Sequence, residues 1–275
     1  MALKAPSFVD ALVAARQSCS TGSDLRPLAR AFLDHLLGTL FPQLATDAPA
    51  DRAAVTADLN LVRETLVRLG ARLKTPTSLA DTFMESLPLL RSELTHDAQA
   101  IFEGDPAARS LEEVLLTYPG FFAIAAYRCA HRLHRAGLPL VPRLLTEYAH
   151  EKTGIDIHPG ATIGPRFSID HGTGIVIGET TVIGANVTLF QGVTLGALTV
   201  TKDRANQKRH PTLEDRVVIY AGATILGGDT VVGHDSVVAG NAFLTQSVPP
   251  SSLVSRKSEV RPKSGDSRDW LDFSI

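Results

Sequence analysis

The sequence predicts an α + β protein, a helical N-terminal domain followed by a parallel β-helix. Three observations lead there. Apolar residues recur at helical spacing up to about Lys152, the period changes to six near Ile155, and β-branched residues dominate beyond that point.

From about Asp24 to Lys152 the pattern is helical. "LNLVRETLVRLGARL" puts Leu59, Val62, Leu66 and Leu69 on one stripe, with Arg63, Glu64 and Arg68 elsewhere. "SLADTFMESLPLLRSEL" and "GFFAIAAYRCAHRLHRAG" have the same character, and Gly137 is a natural stop for the second. Pro42, Pro49, Pro76 and Pro106 mark connections, so residues 1–152 are expected to hold about six or seven helices.

From there Ile157, Ile163, Ile169, then Ile177, Ile183, Leu189 and Leu195 keep a six-residue beat. Leu213, Ile219, Ile225, Val231, Val237 and Phe243 continue it. A second small or β-branched residue often follows four positions later, as at Ala161, Thr181, Val187, Val193 and Ala223. A hexapeptide period supplies one short strand and one turn, and three repeats make one triangular coil. A single coil cannot bury its inward side chain, so stacking on the next coil is what stabilises the array. An antiparallel sandwich would need period-two alternation and hairpin turns, and neither is present. The β-helix is expected over 153–250. The polar, basic stretch 196–212 leaves it as an extruded loop, and a flexible tail follows over 251–275.

The beat is broken once, between Ile169 and Ile177, where the step is eight and the surplus falls beside Asp170 and His171. Gly172 and Gly174 allow a bulge there, and a bulge re-aims a side chain. Asp156, near the equivalent corner one coil earlier, would lie about 5 Å away along the stack. Its carboxylate is expected to bond one ring nitrogen of His171, leaving the other free as a base. His150 and His234, with no such surroundings, are expected to be solvated.

Residues 105 to 250 closely resemble the bacterial and plant serine O-acetyltransferases. The matching stretches are "DPAARS", "GFFAIAAYRCAHRL", "DIHPGATIGPRFSIDHGTGIVIGETTVIG", "QGVTLG", "KRHPTLEDRVVIYAGATILGG" and "SVPP". The resemblance implies a left-handed β-helix. It also implies acetyl transfer from acetyl-CoA, a co-substrate rather than a bound cofactor, to L-serine as the first step of cysteine biosynthesis. It makes His171 the general base and Asp156 its orienting carboxylate. Asp105, Asp170, Arg209 and His210 become the serine pocket, and Gly196 and Ala221 line the CoA site. The residue types suit a zwitterion, whose ammonium needs carboxylates and whose carboxylate needs a guanidinium fork. Lys202, Arg204 and Lys208 in the loop either meet CoA phosphates or are simply solvated.

The family also implies a homotrimer or a dimer of trimers. It implies a partner as well, O-acetylserine sulfhydrylase, which takes a C-terminal tail ending in isoleucine; here that residue is Ile275, with Trp270, Leu271 and Phe273 as anchors. A net charge of -2 gives no general pull toward nucleic acid. There is no long apolar run for a membrane span, and the N-terminus lacks the character of a secretory signal, so a cytoplasmic location is expected. Cys19 and Cys129 have neither metal nor redox spacing and are expected to be reduced. No metal is expected. The rival readings are another acyltransferase on the same scaffold, a zinc hydratase using His158, His171 and His210, and a non-catalytic platform.

Overall fold

A computed structural model of the chain describes residues 5–18, 24–198 and 207–255. Among these are eight α-helices: α1 (Ala5–Ser18), α2 (Leu25–Leu40), α3 (Arg52–Arg72), α4 (Ser78–Glu85), α5 (Leu87–Gly104), α6 (Leu111–Thr117), α7 (Pro119–Arg135) and α8 (Val141–Thr153). Seven of these, α2 to α8, occupy the stretch read as helical, in line with the expected six or seven, and one helix goes beyond it. The helix α1 precedes the stretch read as helical. "SLADTFMESLPLLRSEL" splits into α4 and α5 at Ser86, because Pro88 has no N–H to continue the first helix and fits the first turn of the next.

Fourteen short strands follow. They are β1 (Asp156–Ile157), β2 (Thr162–Ile163), β3 (Ser168–Asp170), β4 (Val176–Ile177), β5 (Val182–Ile183), β6 (Thr188–Phe190) and β7 (Thr194–Gly196), then β8 (Thr212–Leu213), β9 (Val218–Ile219), β10 (Thr224–Leu226), β11 (Val231–Val232), β12 (Val237–Val238), β13 (Phe243–Leu244) and β14 (Leu253–Val254). All pairs are parallel, and they form three sheets in the orders β1-β4-β7-β10-β13, β2-β5-β8-β11 and β3-β6-β9-β12-β14. This is the left-handed β-helix the resemblance implies, with each sheet one flat face of a triangular prism.

The inward residues stack in three columns. One runs Ile157, Ile177, Leu195, Ile225, Leu244, and a second Ile163, Ile183, Leu213, Val232. The third runs Ile169, Leu189, Ile219, Val238, Val254. Each buried Ile or Leu contributes about 1.5–3 kcal/mol relative to exposure.

The expected beat fails at one place. Val231, Val237 and Phe243 do not point inward; Val232, Val238 and Leu244 hold those positions, and Phe243 is 68% exposed. One extra residue is absorbed at the corner where Gly227 takes φ +107, so the step from Ile225 is seven. Paired valines at both later strands make either register equally apolar, which hides the slip from periodicity.

The long insertion after β7 does not disturb the stack, since β8 pairs with β5 as though the loop were absent. The helical region is joined to the first coil by packing of α5 and α7 on β3 and of α7 and α8 on β1. Tyr127 Oη donates to Ala161 O at 2.6 Å. Deeper still, the fully buried Asp97 on α5 pairs with Arg128 on α7, whose guanidinium also reaches Ile163 O and Gly164 O at 3.2 and 2.8 Å. Gly120 lies so close to Ile169 that a Cβ there would sit 2.4 Å from the Ile169 carbonyl oxygen. These contacts seat the end of α5 beside β3.

Candidate active site

The broken beat is a real irregularity. Ile169 pairs with Leu189 and Ile177 with Leu195, so eight residues span a corner that six span in the next coil. His171 takes a left-handed backbone (φ +56), followed by Gly172 at φ +89. A Cβ on Gly172 would lie 2.5 Å from Ile155 Cδ1, so glycine is required there on two counts. The result projects the imidazole outward, with its side chain 72% exposed.

Around it gather three more groups. Asp170, the last residue of β3, places Oδ1 3.9 Å from His171 Nε2. Asp105 caps the C-terminus of α5, and its Oδ1 accepts from Ala107 N at 2.8 Å. Tyr118, at the start of α7, donates its hydroxyl to Asp105 Oδ2 at 2.5 Å. That bond, the Ala107 amide and the nearby His171 hold the Asp105 carboxyl below its ordinary range. The same bond pushes the Tyr118 phenol up to about 12. Gly104, Asp105, Ser168, Asp170, Thr188 and Phe190 line a narrow depression between α5 and the third sheet. Two carboxylates and an imidazole thus gather at one place, a setting for an ammonium group beside a base.

A second group forms at the other end of β4. Arg209 pairs with Glu179, and Arg209 N and His210 N donate to Thr180 Oγ1 at 2.9 and 3.1 Å. His210 is 7% exposed, and its ring lies close against Gly178. Burial pushes the Glu179 carboxyl up, but the Arg209 bond and the neighbouring charges more than offset it and the net direction is down. Lys208 Nζ donates to the backbone oxygens of His210 and Pro211, so it braces the base of the loop. Lys202 and Arg204 lie outside the described residues.

The expected site residues therefore divide between two edges of the face formed by the first sheet. Asp105, Asp170 and His171 lie at the edge before β4, and Arg209 and His210 at the edge after it. Gly196 and Ala221 divide in the same way, Gly196 ending β7 and Ala221 preceding β10 at the opposite corner. Asp156 lies in β1, its N–H on Ile175 O at 2.9 Å, and its charge is felt by His158. No hydrogen bond or ion pair joins Asp156 to His171 among the described residues. Cys129 is fully buried, whereas Cys19, Trp270, Leu271, Phe273 and Ile275 lie outside the described residues. Sequence reading missed Tyr118, Glu179 and Thr180. The last two sit in the turn after β4, one coil from "RHP" along the prism, where register alone could have paired them.

The family model described as "Serine acetyltransferase, N-terminal" matches residues 64–126. A Synechococcus elongatus protein described as "Serine acetyltransferase, plasmid" is 50% identical over 185 residues, 66% of this chain and 58% of its own length. The Bacillus subtilis serine acetyltransferase is 49% identical over 161 residues, 58% of this chain and 72% of the relative. Among solved structures, serine acetyltransferase isoform 3 of Entamoeba histolytica in complex with cysteine superposes with a TM-score of 0.76 at 33% identity, covering 88% of this chain and 87% of that one. The Neisseria gonorrhoeae serine acetyltransferase in complex with serine gives 0.61 at 29% identity, over 84% and 82%. A serine acetyltransferase complex with CoA gives 0.58 at 29%, over 82% and 81%. With a family model, curated relatives and solved structures in agreement, the chain belongs to the serine acetyltransferase family, a family of acyltransferases.

Proposed function

We propose that this chain transfers the acetyl group of acetyl-CoA to the hydroxyl of L-serine, giving O-acetylserine and CoA, with His171 as general base. The observation that carries this reading is the imidazole swung out at the broken coil beside Asp105 and Asp170. The solved relatives bound to serine, cysteine and CoA are consistent with it.

In this reading the serine ammonium sits against Asp105 and Asp170, which brings its hydroxyl to the imidazole. His171 takes the hydroxyl proton as the oxygen attacks the thioester carbonyl, and the imidazolium returns that proton to the departing thiolate. The imidazole group suits both steps because it takes and gives a proton near neutral pH, and such base catalysis supplies roughly 10²–10⁴ in rate. Holding the two substrates together supplies more. Backbone N–H groups are the simplest donors to the oxyanion. Asp156 serves as the carboxylate that orients the ring, which requires the exposed imidazole to turn from Asp170 toward the first rung.

The division of residues between two edges supports a homotrimer, alone or paired into a dimer of trimers. Three flat-faced prisms packed about a common axis set one chain's edge bearing His171 and Ala221 against the next chain's edge bearing Arg209, His210 and Gly196. The Arg209 fork and His210 then meet the serine carboxylate, and CoA lies along the same groove. The tail ending at Ile275 is proposed to dock on O-acetylserine sulfhydrylase through its free carboxylate. Among the described residues no helix is long and apolar enough to cross a membrane; the cytoplasm is the proposed compartment.

The test is CoA release from acetyl-CoA with L-serine, L-threonine and L-homoserine as acceptors, together with mixing of two inactive variants. Serine should be preferred. Chains carrying His171→Ala and chains carrying Arg209→Ala should regain activity when dissociated and reassembled together. Release with none of the acceptors would overturn the substrate reading, and failure to complement would overturn the shared site.

A further inference from the structure

His210 has its ring nitrogens in two different settings. Nδ1 receives the Thr180 backbone N–H at 3.1 Å and faces Thr180 Oγ1 at 2.9 Å. Nε2 makes no hydrogen bond among the described residues and lies over Gly178, where a Cβ would sit 2.1 Å from it.

The proton's place follows from counting donors and acceptors. A backbone N–H only donates, so Nδ1 must offer its lone pair. The Thr180 hydroxyl accepts from Arg209 N and His210 N at 2.9 and 3.1 Å, which fills its acceptor sites. Its own proton is left for Nδ1. Both bonds demand the same tautomer, and a proton on Nδ1 would face two donors at once.

We propose that Thr180 locks His210 as the neutral, Nε2-protonated tautomer. On the reading above, the ring is then a fixed hydrogen-bond donor to the amino-acid carboxylate and cannot serve as a second base. Thr180 is a positioning residue, and Gly178 leaves the slot the ring occupies. The surroundings agree with a ring kept neutral. Burial, then the cations Arg209 and Lys208, bring His210 down to about 4, with Glu179 opposing and His158 adding to the effect. A neutral donor also explains how a carboxylate can be bound beside an Arg209 already paired with Glu179. Arg209 supplies the charge and His210 the direction.

The test is the full-length protein labelled with ¹⁵N-histidine, read by long-range ¹H–¹⁵N correlation, with His210→Gln to assign the signals. The parent should show an acceptor-type Nδ1 and a protonated Nε2 that persist as the pH is lowered past the ordinary histidine value. Thr180→Val keeps the amide and loses the hydroxyl. It should let the ring protonate nearer the ordinary value and raise the serine KM about tenfold with kcat little changed. Thr180→Ser should restore both. A protonated Nδ1 in the parent, or titration near the ordinary value, would overturn the proposal without any variant having to fold. Loss of the KM effect with the tautomer intact would support the lock and count against serine as the ligand.

Discussion

The Tyr118 hydroxyl donates to Asp105 Oδ2 at 2.5 Å, joining the residue just before α7 to the residue that ends α5. Neither residue lies in the β-helix, yet the pair fixes a carboxylate beside His171. The helical region thus contributes to the site directly.

Tyr118→Phe removes only the hydroxyl. A hydrogen bond to a charged group is worth about 1.5–3 kcal/mol, so the serine KM should rise by about tenfold or more. The KM for acetyl-CoA should not move, and steady-state kinetics with each substrate varied in turn would show it. Equal changes in both constants would mean that Tyr118 acts on the whole fold.

The Asp97–Arg128 pair is buried where α5 and α7 meet the first coil, and Phe167 N donates to Asp97 Oδ1 at 3.0 Å. Asp97→Ala leaves a buried guanidinium without its counter-ion and should cost about 3–5 kcal/mol. Replacing both by apolar residues of similar volume should cost much less. Denaturant unfolding of the two variants checks the order, and a double variant weaker than the single one would contradict it.

Acid should weaken the fold through one buried and two half-buried imidazoles. His210 is brought to about 4 in the folded chain, against 6.5 for the free group, and burial lowers His131 and His158 as well. Between those values the unfolded chain binds protons that the folded chain does not. Stability is therefore full above the ordinary histidine value and declines as the pH falls toward about 4. Melting temperatures should drop between about pH 7 and pH 5, before most carboxylates titrate. A melting temperature constant or rising over that interval would mean these rings are not held neutral.

Much of this architecture is legible in the amino-acid sequence, and for physical reasons. The inward columns from Ile157 to Ile225 are readable because one side chain per six-residue repeat must be buried, and burial leaves a period. The extra residues at His171 are readable as a break in that period. The seven-residue step after Ile225 is not, because Val231-Val232 and Val237-Val238 satisfy either register. The split of the site is half legible. The six-residue register puts "DHGTG" after Ile169 and "RHP" before Leu213, at different corners of the triangle, whereas motif order alone groups them in one pocket. The tie between Tyr118 and Asp105 depends on how two helices meet, and no spacing rule encodes that.

The most direct test of the central claim is kcat for acetyl transfer to L-serine, followed by CoA release, in the parent and in His171→Ala. His171→Ala should lower kcat by roughly 10²–10⁴ with an unchanged melting temperature and a serine KM within a few-fold. A His171→Ala protein that keeps its parent's kcat would contradict that claim.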